Sequence, residues 1–252
     1  MKPLPSLHHF LIALCAIAFS STSTSAFAQE ARKIKFRTLC MAHSSGITEL
    51  TIPAAKKNQE PVAVPIYTAS ISPEIEGTFT TPEAVFYTKT PGPDGKPLIA
   101  AKVPLAKAGR HNLLFFIPAP AKDGAPASPP YDVQVFVDDT EVFKLGSIRA
   151  INLAPNPVRY NLGGENVADI PAGGTAVFPQ SAKKDAFNMY PVALSLQDTA
   201  DGSKWNKVYS GSWKASGERR EIVVTFVDEQ FKQLTVKVYP DIPPWTENKG
   251  AK

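Results

Sequence analysis

Residues 234–239 read Leu-Thr-Val-Lys-Val-Tyr. Leu234, Val236 and Val238 fall on one side of an extended chain, and Thr235, Lys237 and Tyr239 on the other. That period of two, carried by β-branched residues, marks a half-buried strand. Upstream, residues 131–137 place Tyr131, Val133, Val135 and Val137 together in the same way. Residues 221–227 are apolar on both sides, as a central strand is. Shorter alternating runs predict strands at 33–41, 47–52, 62–67, 75–80, 84–88, 98–105, 112–117, 147–153, 158–162, 175–178, 191–196 and 205–212. Turn chemistry separates them: Pro93-Asp94-Gly95, Gly163-Gly164, Gly173-Gly174 and Asp201-Gly202. The chain's 24 prolines argue against long helices, because proline breaks a helix interior. One short helical turn near 182–187 is all the pattern allows. The fold class is all-β.

The N-terminus has a different character. Lys2 precedes an apolar run, residues 10–19 (FLIALCAIAF), and a polar Ser/Thr stretch ends in Ala26-Phe27-Ala28. This is the order of a secretory signal peptide with a small-x-small cleavage site, predicting a mature chain from Gln29. The run is too short for a bilayer span, which needs roughly 18 apolar residues or more. Leu14 stands before Cys15 where a lipoprotein signal wants a small residue. The expected product is exported, periplasmic or extracellular, with no membrane span. Beyond the signal only Cys40 remains, so no intrachain disulfide can form. Cys40 alternates onto the face of Ile34 and Phe36, which predicts burial.

The formal net charge is only +4, and the basic residues are scattered with no run longer than a doublet. Nucleic-acid binding needs a concentrated basic face, so that class is set aside.

Two halves of the chain resemble each other. Phe36-Arg37-Thr38-Leu39-Cys40-Met41-Ala42 is similar to Ile148-Arg149-Ala150-Ile151-Asn152-Leu153-Ala154. Val135-Phe136-Val137-Asp138-Asp139 is similar to Thr225-Phe226-Val227-Asp228-Glu229, and Phe-Lys follows each, at Phe143-Lys144 and Phe231-Lys232. The expectation is a signal peptide over 1–28, two tandem immunoglobulin-like β-sandwich domains over 29–145 and 146–245, and a disordered tail over 246–252. One larger sandwich is the alternative. The Pro/Ala-rich stretch 118–130 reads as an exposed loop.

Arg149-Ala150-Ile151-Asn152-Leu153-Ala154-Pro155, with Ile170-Pro171-Ala172-Gly173 further on, resembles a family of exported bacterial β-sandwich domains of unknown function. Members open with an Arg-x-x-(Asn/His)-Ala-Ser-Pro strand and carry a later Val-Pro-Ala-Gly turn. The resemblance covers residues 148–174; here Leu153 precedes the alanine and no serine precedes the proline. It implies a sandwich fold and export, and no activity.

Catalytic and metal chemistry find little support in the sequence. Cys40-Met41-Ala42-His43 brings a thiol, a thioether and an imidazole together, the ligand types of a blue-copper site. Their order is wrong, since those ligands cluster late in cupredoxin-like domains, and the bland reading is a buried cysteine beside a loop histidine. Ser181 and Lys184 fit S-x-x-K without a companion motif, and no G-x-S-x-G elbow occurs. His111 follows Gly109-Arg110 at a strand start, where exposure is expected. Asp138, Asp139 and Glu141 are carboxylates at a strand end, where a turn wants Asp in any case. The expectation is a protein that is not an enzyme and needs no cofactor or metal.

One aromatic pattern suggests a ligand. On a straight strand Trp205, Tyr209 and Trp213 share a face, with successive rings roughly 13 Å apart, as in sugar-binding modules. Because the other side is mostly polar, the same rings also fit a core-facing role. The expected function is an exported, non-enzymatic binding or envelope-structural protein. A carbohydrate-binding module on those rings is one alternative. A periplasmic chaperone-like protein, offering Arg37 or Arg149 to a partner's carboxylate, is another. The partner would be a cell-envelope protein or a polysaccharide.

Overall fold

Alternation of side chains decides which strands form and how they stack. The computed structural model describes residues 31–249 except 55, 57, 93, 106–108, 122–124, 180 and 229, with backbone alone for 247–249. The expected signal peptide and the last residues of the expected tail lie outside the described residues.

The first half of the chain forms β1 (Arg32–Cys40), β2 (Glu49–Ile52), β3 (Val62–Pro65), β4 (Ile75–Phe79), β5 (Glu83–Pro91), β6 (Pro97–Pro104), β7 (His111–Pro118) and β8 (Tyr131–Val137). The second half forms β9 (Ile148–Asn152), β10 (Val158–Leu162), β11 (Asn166–Ile170), β12 (Thr175–Phe178), β13 (Met189–Gln197), β14 (Trp205–Lys214), β15 (Arg220–Val227) and β16 (Leu234–Asp241). A 3-10 helix at Pro244–Lys249 follows, where the sequence suggested a disordered tail. β11 went unpredicted because Asn166, Ala168 and Asp169 have little intrinsic strand preference. The expected helical turn near 182–187 is instead a turn held by Asp185, whose Oδ1 accepts the amides of Phe187 and Met189.

Four four-stranded sheets result, ordered β4-β1-β7-β8, β3-β2-β5-β6, β12-β9-β15-β16 and β11-β10-β13-β14. The first pair encloses one core, with Ile34, Phe36, Cys40, Phe86, Phe116 and Tyr131. The second pair encloses another, with Val158, Tyr160, Leu162, Tyr190, Leu194 and Val223. The chain is therefore all-β, built as two sandwich-like bodies.

The second body repeats the first strand for strand, each element returning eight strands later in the same place, including the parallel pairs β1/β7 and β9/β15. The likeness of residues 36–42 to 148–154 is thus a match of equivalent strands. The second likeness is not: 135–139 ends β8 whereas 225–229 ends β15, and the true counterpart of β8 is β16. Phe143 and Phe231 likewise differ, the first buried and the second two-thirds exposed.

A third core lies between the bodies. Leu39, Leu113 and Phe115 from the outer face of the β1/β7 sheet meet Ile151, Ile222, Val224 and Tyr239 from the outer face of the β9/β15 sheet, with Phe143 from the connection. This is why β1, β7, β9 and β15 are buried on both faces over much of their length. The contact is nearly self-complementary: by register Leu39 corresponds to Ile151, Leu113 to Ile222 and Phe115 to Val224. Equivalent patches meeting each other are the mark of a two-fold interface, here within one chain.

The Asn152 side chain explains the motif over 148–174. Its amide donates to the carbonyls of Asn156, Ile170 and Pro171, and its Oδ1 accepts the Ala154 amide. The end of β9 is thereby tied to the turn before β12.

Because the third core is shared, Phe115→Ala is expected to cost about 3–5 kcal/mol. In urea denaturation followed by tryptophan fluorescence, the transition sensed by Trp213 in the other body shifts with it. An unmoved Trp213 transition would contradict this packing.

Candidate functional site

Both sheets facing the junction bring charge into it. Arg37 lies on β1 two residues before Leu39, and so on the junction face. Arg220 opens β15, Asp241 ends β16, and Asp138 directly follows β8. All four are at least 97% buried. Arg37 donates from Nε and Nη2 to Asp138 Oδ2 at 3.0 and 2.6 Å, and from Nη1 and Nη2 to Asp241 Oδ1 and Oδ2 at 2.6 and 2.9 Å. Arg220 donates from Nη2 to Asp138 Oδ1 at 2.5 Å and from Nε to Asp241 Oδ2 at 2.7 Å. Its Nη1 reaches the carbonyls of Asp138 and Phe143. Two guanidinium forks and two carboxylates thus close a neutral square joining the two bodies.

Burial pushes the Asp241 carboxyl up, but Arg37 and Arg220 outweigh it and hold it below its ordinary value. Burial likewise works against the charge on Arg37, and the two aspartates raise it nonetheless.

A fifth charge is less well served. Arg149, the counterpart of Arg37 on β9, donates Nη2 to the Val137 carbonyl at 2.8 Å, while its buried Nη1 has no partner among the described residues. Its guanidinium carbon lies 4.5 Å from the Phe143 ring centre and 5.0 Å from that of Phe136. Burial lowers its pKa to about 10, with Asp138 opposing and Arg220 adding to the fall. The symmetry breaks here: Arg220 fills the square, and its counterpart in the first body is His111.

His111 is turned to the rim, where it is mostly buried, a correction to the exposure expected for it. Its Nδ1 lies 2.6 Å from Glu74 Oε2, and Lys35 Nζ is 3.0 Å from Glu74 Oε1. Trp245 stacks on the imidazole with centroids 3.9 Å apart, and the Arg37 guanidinium lies 5.0 Å from the indole centre. Burial raises the Glu74 pKa, but Lys35 and His111 prevail and lower it. Lys35, Pro73, Glu74, Arg110, His111, Pro244 and Trp245 line an open pocket of about 450 Å³, with walls from both bodies.

The residues singled out in the sequence are placed as follows. Cys40 is buried in the first core as expected, its Sγ 3.0 Å from the Ala42 carbonyl, and burial pushes its pKa up to about 11. His43 Nε2 is 2.8 Å from the Ile66 carbonyl. Asp138 and Asp139 part company: the first enters the square, and the second accepts the His111 amide. Ser181 is buried and its hydroxyl has no partner among the described residues.

Trp205, Tyr209 and Trp213 do not share a face. Tyr209 pairs with Leu194 and Trp213 with Tyr190, both inward, but Lys207 pairs with Ser195 and Trp205 with Gln197. Val208 is an extra residue, a bulge that flips every side chain beyond it. Tyr209 and Trp213 pack against the second core, and the Tyr209 hydroxyl crosses Gly211 to accept the indole N–H at 2.9 Å. Trp205 points outward, with the Arg159 guanidinium 4.0 Å from its ring centre and Asp169 gripping that guanidinium. A bulge leaves no mark in a pattern of alternating residues. The charge square was also missed, because its members lie far apart in sequence. The Arg37/Arg149 repeat and the strand-end carboxylate of Asp138 were its visible traces.

In comparisons with known proteins, no family model matches the chain, and no curated protein matches it.

Replacing one member of the square strands its partners. Asp241→Asn is expected to cost about 3–5 kcal/mol at neutral pH. The folded pKa of Asp241 lies below its ordinary 3.8, so its stabilisation is complete above that value and is lost as pH falls through the folded pKa. Acid titrations of the two proteins should therefore converge at low pH; a constant gap would contradict the assignment. Arg149→Met, which removes the incompletely paired charge, should leave the urea midpoint unchanged or raise it, whereas Arg37→Met should lower it strongly.

Proposed function

We propose that this chain is an exported, non-enzymatic β-sandwich protein that acts in binding or as a structural part of the cell envelope. The observation that carries this reading is the junction. The buried arginines and aspartates that could have supplied chemistry are committed to holding two sandwiches as a unit, an arrangement suited to presenting a fixed surface. The N-terminal pattern, with its Ala26-Phe27-Ala28 site, supports export.

The other binding readings draw less support. A carbohydrate platform on Trp205, Tyr209 and Trp213 would need three rings on one surface, and the bulge divides them. A chaperone-like role for Arg37 or Arg149 would need those guanidiniums within reach of a partner's terminal carboxylate. Both are buried, and Arg37 already grips two aspartates.

Export is tested by expressing the full chain in a Gram-negative host and taking the intact mass of the periplasmic and secreted fractions. A product beginning at Gln29 is expected. Full-length chain retained in the cytoplasm would overturn the proposal.

A further inference from the structure

The internal repeat offers a comparison within one molecule. By register Arg110, just before β7, corresponds to Arg219, just before β15, and Asn112 corresponds to Glu221. Arg219 is neutralised, its Nε and Nη2 donating to Glu221 Oε1 at 3.2 and 2.9 Å. In the first body the acid is replaced by Asn112, which turns inward and donates to the carbonyls of Lys35 and Gly109. Arg110 is exposed and makes no ion pair among the described residues. The space differs as well: the cavity beside Arg219 holds about 10 Å³ against 450 Å³ beside Arg110.

The carboxylate that lines the pocket is engaged elsewhere. Among the described residues Glu74 is the one carboxylate in the lining, and its two oxygens are taken by Lys35 and His111. Asp139, beyond the lining, accepts the His111 backbone amide at 3.0 Å. The Arg110 guanidinium is left without an ion-pair partner among the described residues, a planar fork suited to a carboxylate. Around it stand Pro73, Pro244 and the indole of Trp245, whose buried Nε1 is a donor with no acceptor among the described residues. A volume of this order suits a small organic molecule.

We propose that this pocket binds the carboxylate of a small organic acid, with Arg110 taking the carboxylate and the body of the ligand lying against Pro73, Pro244 and Trp245. Because Trp245 and Pro244 belong to the second body, binding would draw on both.

Calorimetric titration of the full chain with galacturonate and with benzoate tests this, using galactose and inorganic phosphate as the neutral and dianionic comparisons. At least one carboxylate should bind saturably and galactose should not. Arg110→Gln should weaken that binding by about tenfold or more, and Arg219→Gln, at the equivalent position, should leave it intact. The proposal is overturned by failure of both carboxylates, by phosphate binding as tightly, or by an unchanged affinity in Arg110→Gln.

Discussion

Arg37, Asp138, Arg220 and Asp241 are withdrawn from water together, and the relation of the two sandwiches depends on how that is tolerated. An isolated buried charge costs several kcal/mol even after the protein relaxes around it. Here each carboxylate meets two guanidiniums, and each guanidinium meets two carboxylates. The square is neutral and its donors are matched by acceptors. Its main contribution is alignment. A face of Leu, Ile, Val and Phe can slide by small steps at little cost, whereas forked guanidiniums on two carboxylates accept one register. The apolar third core supplies the attraction between the bodies, and the square fixes where they stop.

The repeat makes the departures from symmetry informative. Two equivalent sheet faces meet, so a symmetric junction would carry Arg37 and Arg149 in equal roles. Instead Arg220 enters the square and displaces Arg149, which is left between the rings of Phe136 and Phe143 with one nitrogen unmatched. At the position of Arg220 the first body has His111, too short to reach the square, and it turns to the rim. Glu74, Lys35 and Trp245 gather around it. The same asymmetry that completes the junction thus opens a pocket at its edge, with charged and apolar walls.

Along β14 one residue decides the fate of three rings. Val208 bulges out of the ladder, and Trp205 passes to the solvent side while Tyr209 and Trp213 face the core. The two inner rings are joined by a hydrogen bond over Gly211. The outer ring is covered in part by Arg159, itself held by Asp169. A row of aromatics at even spacing therefore became two packing residues and one surface stack.

Much of the architecture was legible in the residues alone, because strands report themselves through a period of two. Alternation at 131–137 and 234–239, apolar faces on both sides of 221–227, and the burial of Cys40 all follow from that local rule. The repeat was visible where equivalent strands kept similar residues, as in 36–42 and 148–154, and misleading where strands merely looked alike, as in 135–139 and 225–229. The signal-like N-terminus likewise belongs to the sequence. What only the tertiary structure decided were the relations between distant residues: Arg37 with Asp241, Arg220 with Asp138, Trp245 on His111, and the face on which Trp205 lies. The physical reason is that strand periodicity is a property of neighbours in the chain. Pairing of buried charges and the phase beyond a bulge are set by which strands lie side by side, and alternation carries no record of that.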